Sequence, residues 1–230
     1  MLWCRDAVFM QGGYTLSADL RIEAGKVTAV IGPSGAGKST LLGGIAGFVS
    51  QRSGVLSWNG ADITALPPHK RPVSMLFQDN NLFPHLTVLQ NVALALGSRL
   101  TPTRDAQIKA EDMLTRVGLN DLATRKPAAL SGGQQSRAAL ARALLQNREI
   151  MLMDEPFSAL GPGMKAEMLD LSVELAKAAG RTVVMVTHDP ADAARVADAV
   201  IGVVSGKAWA PIETARFLND PPAPFKEYLG

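Results

Sequence analysis

Gly32-Pro33-Ser34-Gly35-Ala36-Gly37-Lys38-Ser39-Thr40 decides the fold of this chain. It follows an apolar run at 27–31 and leads into 38–46, an order that predicts a buried strand, a glycine-rich loop and a helix. Glycines at 32, 35 and 37 let the backbone curl around an anion, and the helix start beyond them turns free amides toward the same point. Lys38 supplies a positive charge for the outer phosphates of a polyphosphate. Ser39 supplies a hydroxyl of the kind magnesium accepts. Residues 32–40 are therefore read as a nucleotide cradle, with Gly32, Pro33, Ser34, Gly35, Ala36, Gly37, Lys38, Ser39 and Thr40 around the phosphates.

Working outward, 230 residues suffice for one large α/β domain with room for a small inserted lobe. A net charge of +2, from 23 basic and 21 acidic side chains scattered along the chain, gives no electrostatic reason to expect nucleic acid as a partner. Apolar stretches such as 41–49 and 199–204 fall well short of the roughly 18 residues that cross a bilayer. The first residues show no basic start, apolar run and cleavage site of a secretory signal. With Cys4 as the single cysteine, a reducing cytoplasm is the expected setting. Cys4 itself, beside Leu2 and Trp3, reads as packing rather than as a reactive thiol.

Residues 2–9 and 16–22 alternate apolar and polar around Gly12-Gly13, and 55–58 continues the pattern before the turn signal Asn59-Gly60. An antiparallel β subdomain is expected there. Pro67, Pro68 and Pro72 punctuate a loop whose His69, Lys70 and Arg71 read as a solvated basic face. Residues 103–117 place Ala106, Ala110, Met113, Leu114 and Val117 on one side of a helix, within a helical lobe. From Ser131 onward helices alternate with buried strands at 150–153, 182–187 and 200–204, the pattern of a parallel sheet with covering helices. The tail from Pro211 forms one or two short helices interrupted by Pro221-Pro222 and has no functional reading.

Met151-Leu152-Met153-Asp154-Glu155-Pro156 ends a buried strand with two carboxylates. Asp154, nearer the sheet, is placed to hold magnesium, and Glu155 to reach an attacking water as general base; a solvated loop is the bland alternative. Leu130-Ser131-Gly132-Gly133-Gln134 opens a helix-like run to residue 146. It is either a capped helix start or a second phosphate site.

Together these motifs resemble the nucleotide-binding domain of the ABC transporter family over most of the chain. The resemblance implies a P-loop NTPase α/β fold with a mainly parallel sheet, an N-terminal antiparallel β subdomain and an inserted helical subdomain. All 230 residues then form one domain, with 1–78 and 135–230 as catalytic core and about 79–134 as the helical part. It implies ATP and Mg2+ as ligands and a head-to-tail homodimer, in which Ser131, Gly132, Gly133 and Gln134 of one copy close over the other's nucleotide. Gln78 matches the glutamine that senses magnesium and water, and His188 the switch histidine at the terminal phosphate. The catalytic set is then Lys38, Gln78, Glu155 and His188, with Ser39, Gln78 and Asp154 at the metal. The aromatic that stacks on adenine falls at Phe9, with Tyr14 as the alternative.

Residues 67–88, above all Met75-Leu76-Phe77-Gln78-Asp79-Asn80-Asn81-Leu82-Phe83, are similar to the ATP-binding subunits of bacterial thiamine importers. That implies a peripheral subunit on the cytoplasmic face of the inner membrane, held by permease subunits and served indirectly by a periplasmic binding protein. Leu82 and Phe83 then either meet the permease or pack inside the lobe. Iron or polyamine importers are the near alternatives, and a non-transport ABC ATPase or a small-molecule kinase the remote ones. One departure stands out: the family pattern Ser-Ala-Leu-Asp is here Ser158-Ala159-Leu160-Gly161. A weaker coupling between the paired ATP sites, with ATP binding intact, is the expected consequence. Ser136 also replaces a residue that is often basic, although Arg137 remains.

Overall fold

The computed structural model describes residues 1–97 and 101–229. The apolar runs Val27–Ile31 (β3), Ile150–Asp154 (β7), Thr182–Val186 (β8) and Ala199–Val204 (β9) lie parallel, with Val73–Leu76 (β6) at one edge, in the order β9-β3-β8-β7-β6. Every residue of β3 and β8 is buried, as continuous apolar strands require when both faces of a sheet are covered. Alternation assigns the faces. Val30, Ile150, Leu152, Val184 and Val186 turn one way, and Met151, Met153, Val183 and Met185 the other.

The first face carries helix Lys38–Ala46 (α1), in which only Ser39 escapes burial because apolar layers surround it. Its far side packs on the antiparallel strands Leu2–Gln11 (β1), Tyr14–Ile22 (β2) and Ser50–Trp58 (β4), and the exposed Ala61–Asp62 (β5) pairs with β4. These strands outrun the alternating segments that the sequence marks. Gln11 still pairs with Tyr14, and Met10 with Ser50, after side-chain burial has lapsed. Asn59 and Gly60 take φ values of 48° and 85°, the two-residue hairpin turn that their types favour. Cys4 is buried in this layer, where burial, with Asp19 as a smaller cause, pushes its thiol up to about 12. Its part is packing.

Arg71 corrects one expectation. It is buried, not part of a solvated basic face, and donates to the carbonyls of Gly44 at 2.7 Å and Ile45 at 2.8 Å. Those carbonyls lie in the last turn of α1, where the Gly47 amide also reaches Gly44, so the guanidinium helps satisfy the end of the helix that carries Lys38. Burial lowers the Arg71 pKa, whereas His69 and Lys70 remain exposed.

The second face is covered by Gly132–Leu145 (α4) and Pro162–Ala178 (α5), and Val88–Ala93 (α2) and Arg104–Arg116 (α3) pack against α4 in the same apolar cluster. The stripe Ala110, Met113, Leu114 and Val117 is buried as its spacing predicts. Arg142 on α4 donates to the carbonyls of Asn80 at 2.8 Å and Asn81 at 2.7 Å, whose left-handed φ values asparagine tolerates. The loop after Gln78 is thereby tied to α4. Leu82 packs on the core of the lobe, as its internal reading has it, while Phe83 stays exposed.

Beyond β8 come Pro190–Val196 (α6), Lys207–Ala208 (β10), which joins the antiparallel strands to β9, and Ile212–Glu213 (β11). The tail forms two short helices, Thr214–Asn219 (α7) and Ala223–Leu229 (α8), on either side of Pro221-Pro222.

Candidate nucleotide site

Strand register gathers the candidate residues at one end of the sheet. Val30 and Asp154 both pair with Val186, and Leu76 pairs with Met153. Gly32 and Glu155 follow the last paired residue of their strands by one position, and Gln78 and His188 by two, so all four leave the sheet at its carboxyl edge, where open α/β sheets bind ligands.

Two loop glycines are dictated by space. A Cβ on Gly32 would stand 2.0 Å from the Val203 carbonyl oxygen. Gly37 has φ 100°, and a Cβ there would meet the Tyr14 ring at 2.8 Å. Tyr14 is half-buried, and its hydroxyl donates to the Ala36 carbonyl at 2.7 Å, so it braces the loop. Phe9 is a correction. It is wholly buried between β1 and α1, its ring so close to Gly44 that a Cβ there would lie 2.3 Å away, and it has no face for adenine. The reason is strand alternation: Phe9 falls on the same inward side as Ala7, facing α1.

Lys38 folds back over the loop, its ammonium donating to the carbonyls of Gly32 at 2.8 Å and Pro33 at 3.0 Å. Burial lowers its pKa, opposed by the nearby Glu155 and Asp154. A buried cation held only by neutral carbonyls fits an anionic ligand. Ser39 Oγ donates to Asp154 Oδ1 at 3.0 Å. Burial raises the Asp154 pKa, the Ser39 bond lowers it, Glu155 raises it and Lys38 lowers it, in that order. A hydroxyl and one carboxylate are hard oxygen donors suited to magnesium, which keeps most of its shell as water and phosphate oxygen. Among the described residues no group of three or more His, Cys, Asp or Glu is placed to hold a metal ion.

Glu155 has φ 43°, rare for a residue with a side chain, and Phe157 has φ 66°. The turn is held by the Glu155 amide donating to Val186 at 3.1 Å and by the buried Phe157 ring. It brings Glu155 Oε2 to 3.4 Å from His188 Nδ1. Gln78 is exposed at the same edge.

Ser131 and Gln134 form a reciprocal cap: Ser131 Oγ accepts from the Gln134 amide at 3.4 Å, and Gln134 Oε1 accepts from the Ser131 amide at 2.9 Å. Ser131 and Gly132 are exposed, and a Cβ on Gly133 would meet Met164 Sδ at 2.3 Å. Among the described residues no hydrogen bond joins 131–134 to the loop at 32–40.

Residues 16–158 match the ABC transporter family. The chain belongs to the ABC transporter family. It is 52% identical over its full length, and the full length of the relative, to the thiamine import ATP-binding protein ThiQ of Ruegeria sp. (strain TM1040). The ThiQ of Escherichia coli (strain K12) is 45% identical, with 91% of this chain and 90% of that protein covered. Among solved structures it is similar to the ADP conformation of MJ1267, an ATP-binding cassette of an ABC transporter, with TM-score 0.85, 28% identity and 96% and 95% of the two chains covered. It is also similar to a dimeric post-hydrolysis state of the cassette MJ0796 bound to ADP and Pi, with TM-score 0.78, 29% identity and 93% and 99% covered. The P-loop NTPase α/β fold and an ATPase coupled to transport follow for this ABC protein.

The cassette also contains site neighbours that motif reading missed. Lys165 on α5 reaches Asp189 at 3.2 Å and Asp192 at 2.7 Å, and Tyr228 touches His188. Charges divided between α5 and the start of α6, and a tyrosine in a tail, carry no spacing signal.

Proposed function

We propose that this chain is the ATP-hydrolysing subunit of a bacterial importer that takes up thiamine, or a thiamine phosphate, through a separate permease. The observation that carries this reading is full-length identity of 52% to a protein named for thiamine import, joined to a carboxyl edge where Lys38, Ser39, Asp154, Glu155 and His188 converge. The subunit then sits at the cytoplasmic face of the inner membrane, held by the permease, with a periplasmic binding protein as indirect partner. Among the described residues no helix is long and apolar enough to cross a membrane.

The loop amides at 32–40 receive the ATP phosphates, and Lys38 exchanges the carbonyls of Gly32 and Pro33 for the outer phosphate oxygens. Ser39 and Asp154, with Gln78, hold magnesium, which draws charge from the terminal phosphates when bound. Glu155 orients the attacking water and takes its proton on a carboxylate oxygen, while His188 holds the terminal phosphate and the water in line. With Phe9 in the core, Tyr14 is the aromatic that borders the base. Ser131, Gly132, Gly133 and Gln134 of the partner subunit complete the pocket, a reading supported by the similarity to a dimeric cassette bound to ADP and Pi.

The permease docks in a groove of about 430 Å3 lined by Ala46, Phe48, Val73, Met75, Phe77 and Arg148. Phe48, 61% exposed, meets Phe77 with ring centroids 6.2 Å apart.

Cells lacking the chain and complemented with wild type or Glu155→Gln test the whole reading. Labelled thiamine should enter only with wild type, while purified Glu155→Gln still binds ATP and turns over at least about 100-fold more slowly. Uptake of a polyamine or ferric iron in place of thiamine redirects the substrate, and wild-type hydrolysis by Glu155→Gln removes that carboxylate from the mechanism.

A further inference from the structure

Nothing in the proposed reaction uses α8, yet one of its side chains reaches the site. The Tyr228 hydroxyl donates to the His188 carbonyl at 3.0 Å, across 40 residues of chain. α8 is firmly seated for a terminal helix. Phe225 is fully buried, its ring centroid 5.9 Å from that of Trp209 and 5.4 Å from that of Phe217, in a space that exists because residue 202 is glycine.

Both neighbours of His188 are pinned as well. The Asp189 amide donates to Thr187 Oγ1 at 3.1 Å, Asp189 caps α6 by accepting from the Ala191 amide at 2.9 Å, and Thr187 donates to Asp192. Lys165 holds both aspartates from α5. The imidazole is different: its side chain is 60% exposed and its charged neighbour Glu155 lies at 3.4 Å. A ring so lightly held points where its own backbone directs it.

We infer that Tyr228 is a positioning residue, which sets the direction of the His188 imidazole by holding its carbonyl; the inference rests on the proposed role of His188. Burial, then Glu155 and Asp189, raise the phenol pKa, so the hydroxyl stays a donor at neutral pH. A single neutral hydrogen bond of this kind is worth about three- to ten-fold in an equilibrium.

Tyr228→Phe removes the hydroxyl and keeps the ring. In the purified full chain, kcat for MgATP hydrolysis should fall by about three- to ten-fold with KM for ATP unchanged, because only alignment is lost. The chain has three histidines, His69, His85 and His188, so histidine-selective NMR reads the site directly. Only the His188 signal should move. Wild-type kcat in Tyr228→Phe, or a loss accompanied by movement of the His69 and His85 signals, overturns the inference. His188→Ala separates the two claims: if it abolishes turnover while Tyr228→Phe changes nothing, Tyr228 has no positioning part and His188 keeps its role. If His188→Ala turns over like wild type, the reading of His188 itself fails.

Discussion

Asp154 shows what a nucleotide site costs the empty protein. Its pKa is raised chiefly by burial, so the folded chain holds this proton at pH values where the unfolded chain has released it. The contribution of Asp154 to stability is thus complete below the ordinary carboxylate pKa and is lost as pH climbs through the raised native value. Asp154→Asn removes the charge while leaving an oxygen to accept from Ser39. The nucleotide-free variant should melt about 2 °C higher at pH 7, a shift that shrinks to nothing near pH 4, and should bind MgATP more weakly. Calorimetry across that pH range checks the sign: a lower midpoint at pH 7 contradicts it. The same scale shows where side-chain reading fails. Phe9 has the chemistry for stacking, but the side of the strand it occupies is a matter of pleat and partner.

At the scale of elements, the missing aspartate at Gly161 becomes a question about how α5 begins. Gly161 is the N-cap, with φ −64° and ψ 156° and no side-chain cap, followed by Pro162 at the first helical position. A Cβ there meets nothing within 4 Å. Gly161→Asp therefore fits without strain and should stabilise the chain by a few tenths of a kcal/mol as a cap, with about 0.3–1 kcal/mol more from the helix dipole. Denaturant melts read the first effect. If the loop couples paired ATP sites, ATPase rate or its coupling to transport changes as well; kinetics identical to the parent refute the coupling. Lys165, one turn into α5, is a charged link from this helix to the segment after His188, and Asp170 with Arg195 of α6 is another. That link could not be read from sequence, because Lys165, Asp189 and Asp192 meet only once α5 and α6 pack.

For the whole molecule, the exposed apolar surface is uneven. Phe48 at the end of α1, mostly exposed, and half-buried Phe77 after β6 meet at one groove, where α1, the sheet edge and the end of α4 come together. Exposed aromatics grouped at a groove mark a partner surface rather than incomplete packing. Phe48→Ser should leave the melting midpoint within about 1 °C, since the ring is mostly in solvent, while permease recovered with the chain from detergent extracts falls by about ten-fold or more. Undiminished recovery places the docking surface elsewhere.

The phosphate cradle, the parallel sheet, the capped helix at Ser131 and the carboxylate pair at 154–155 were legible along the chain. Each depends on contiguous residues, where local backbone geometry and hydrophobic period speak directly. The inward turn of Phe9, the burial of Arg71 beneath α1, the approach of Glu155 to His188 and the reach of Tyr228 came only with the tertiary structure. They join elements far apart in sequence, and strand register and helix packing, not residue type, decide which distant groups meet.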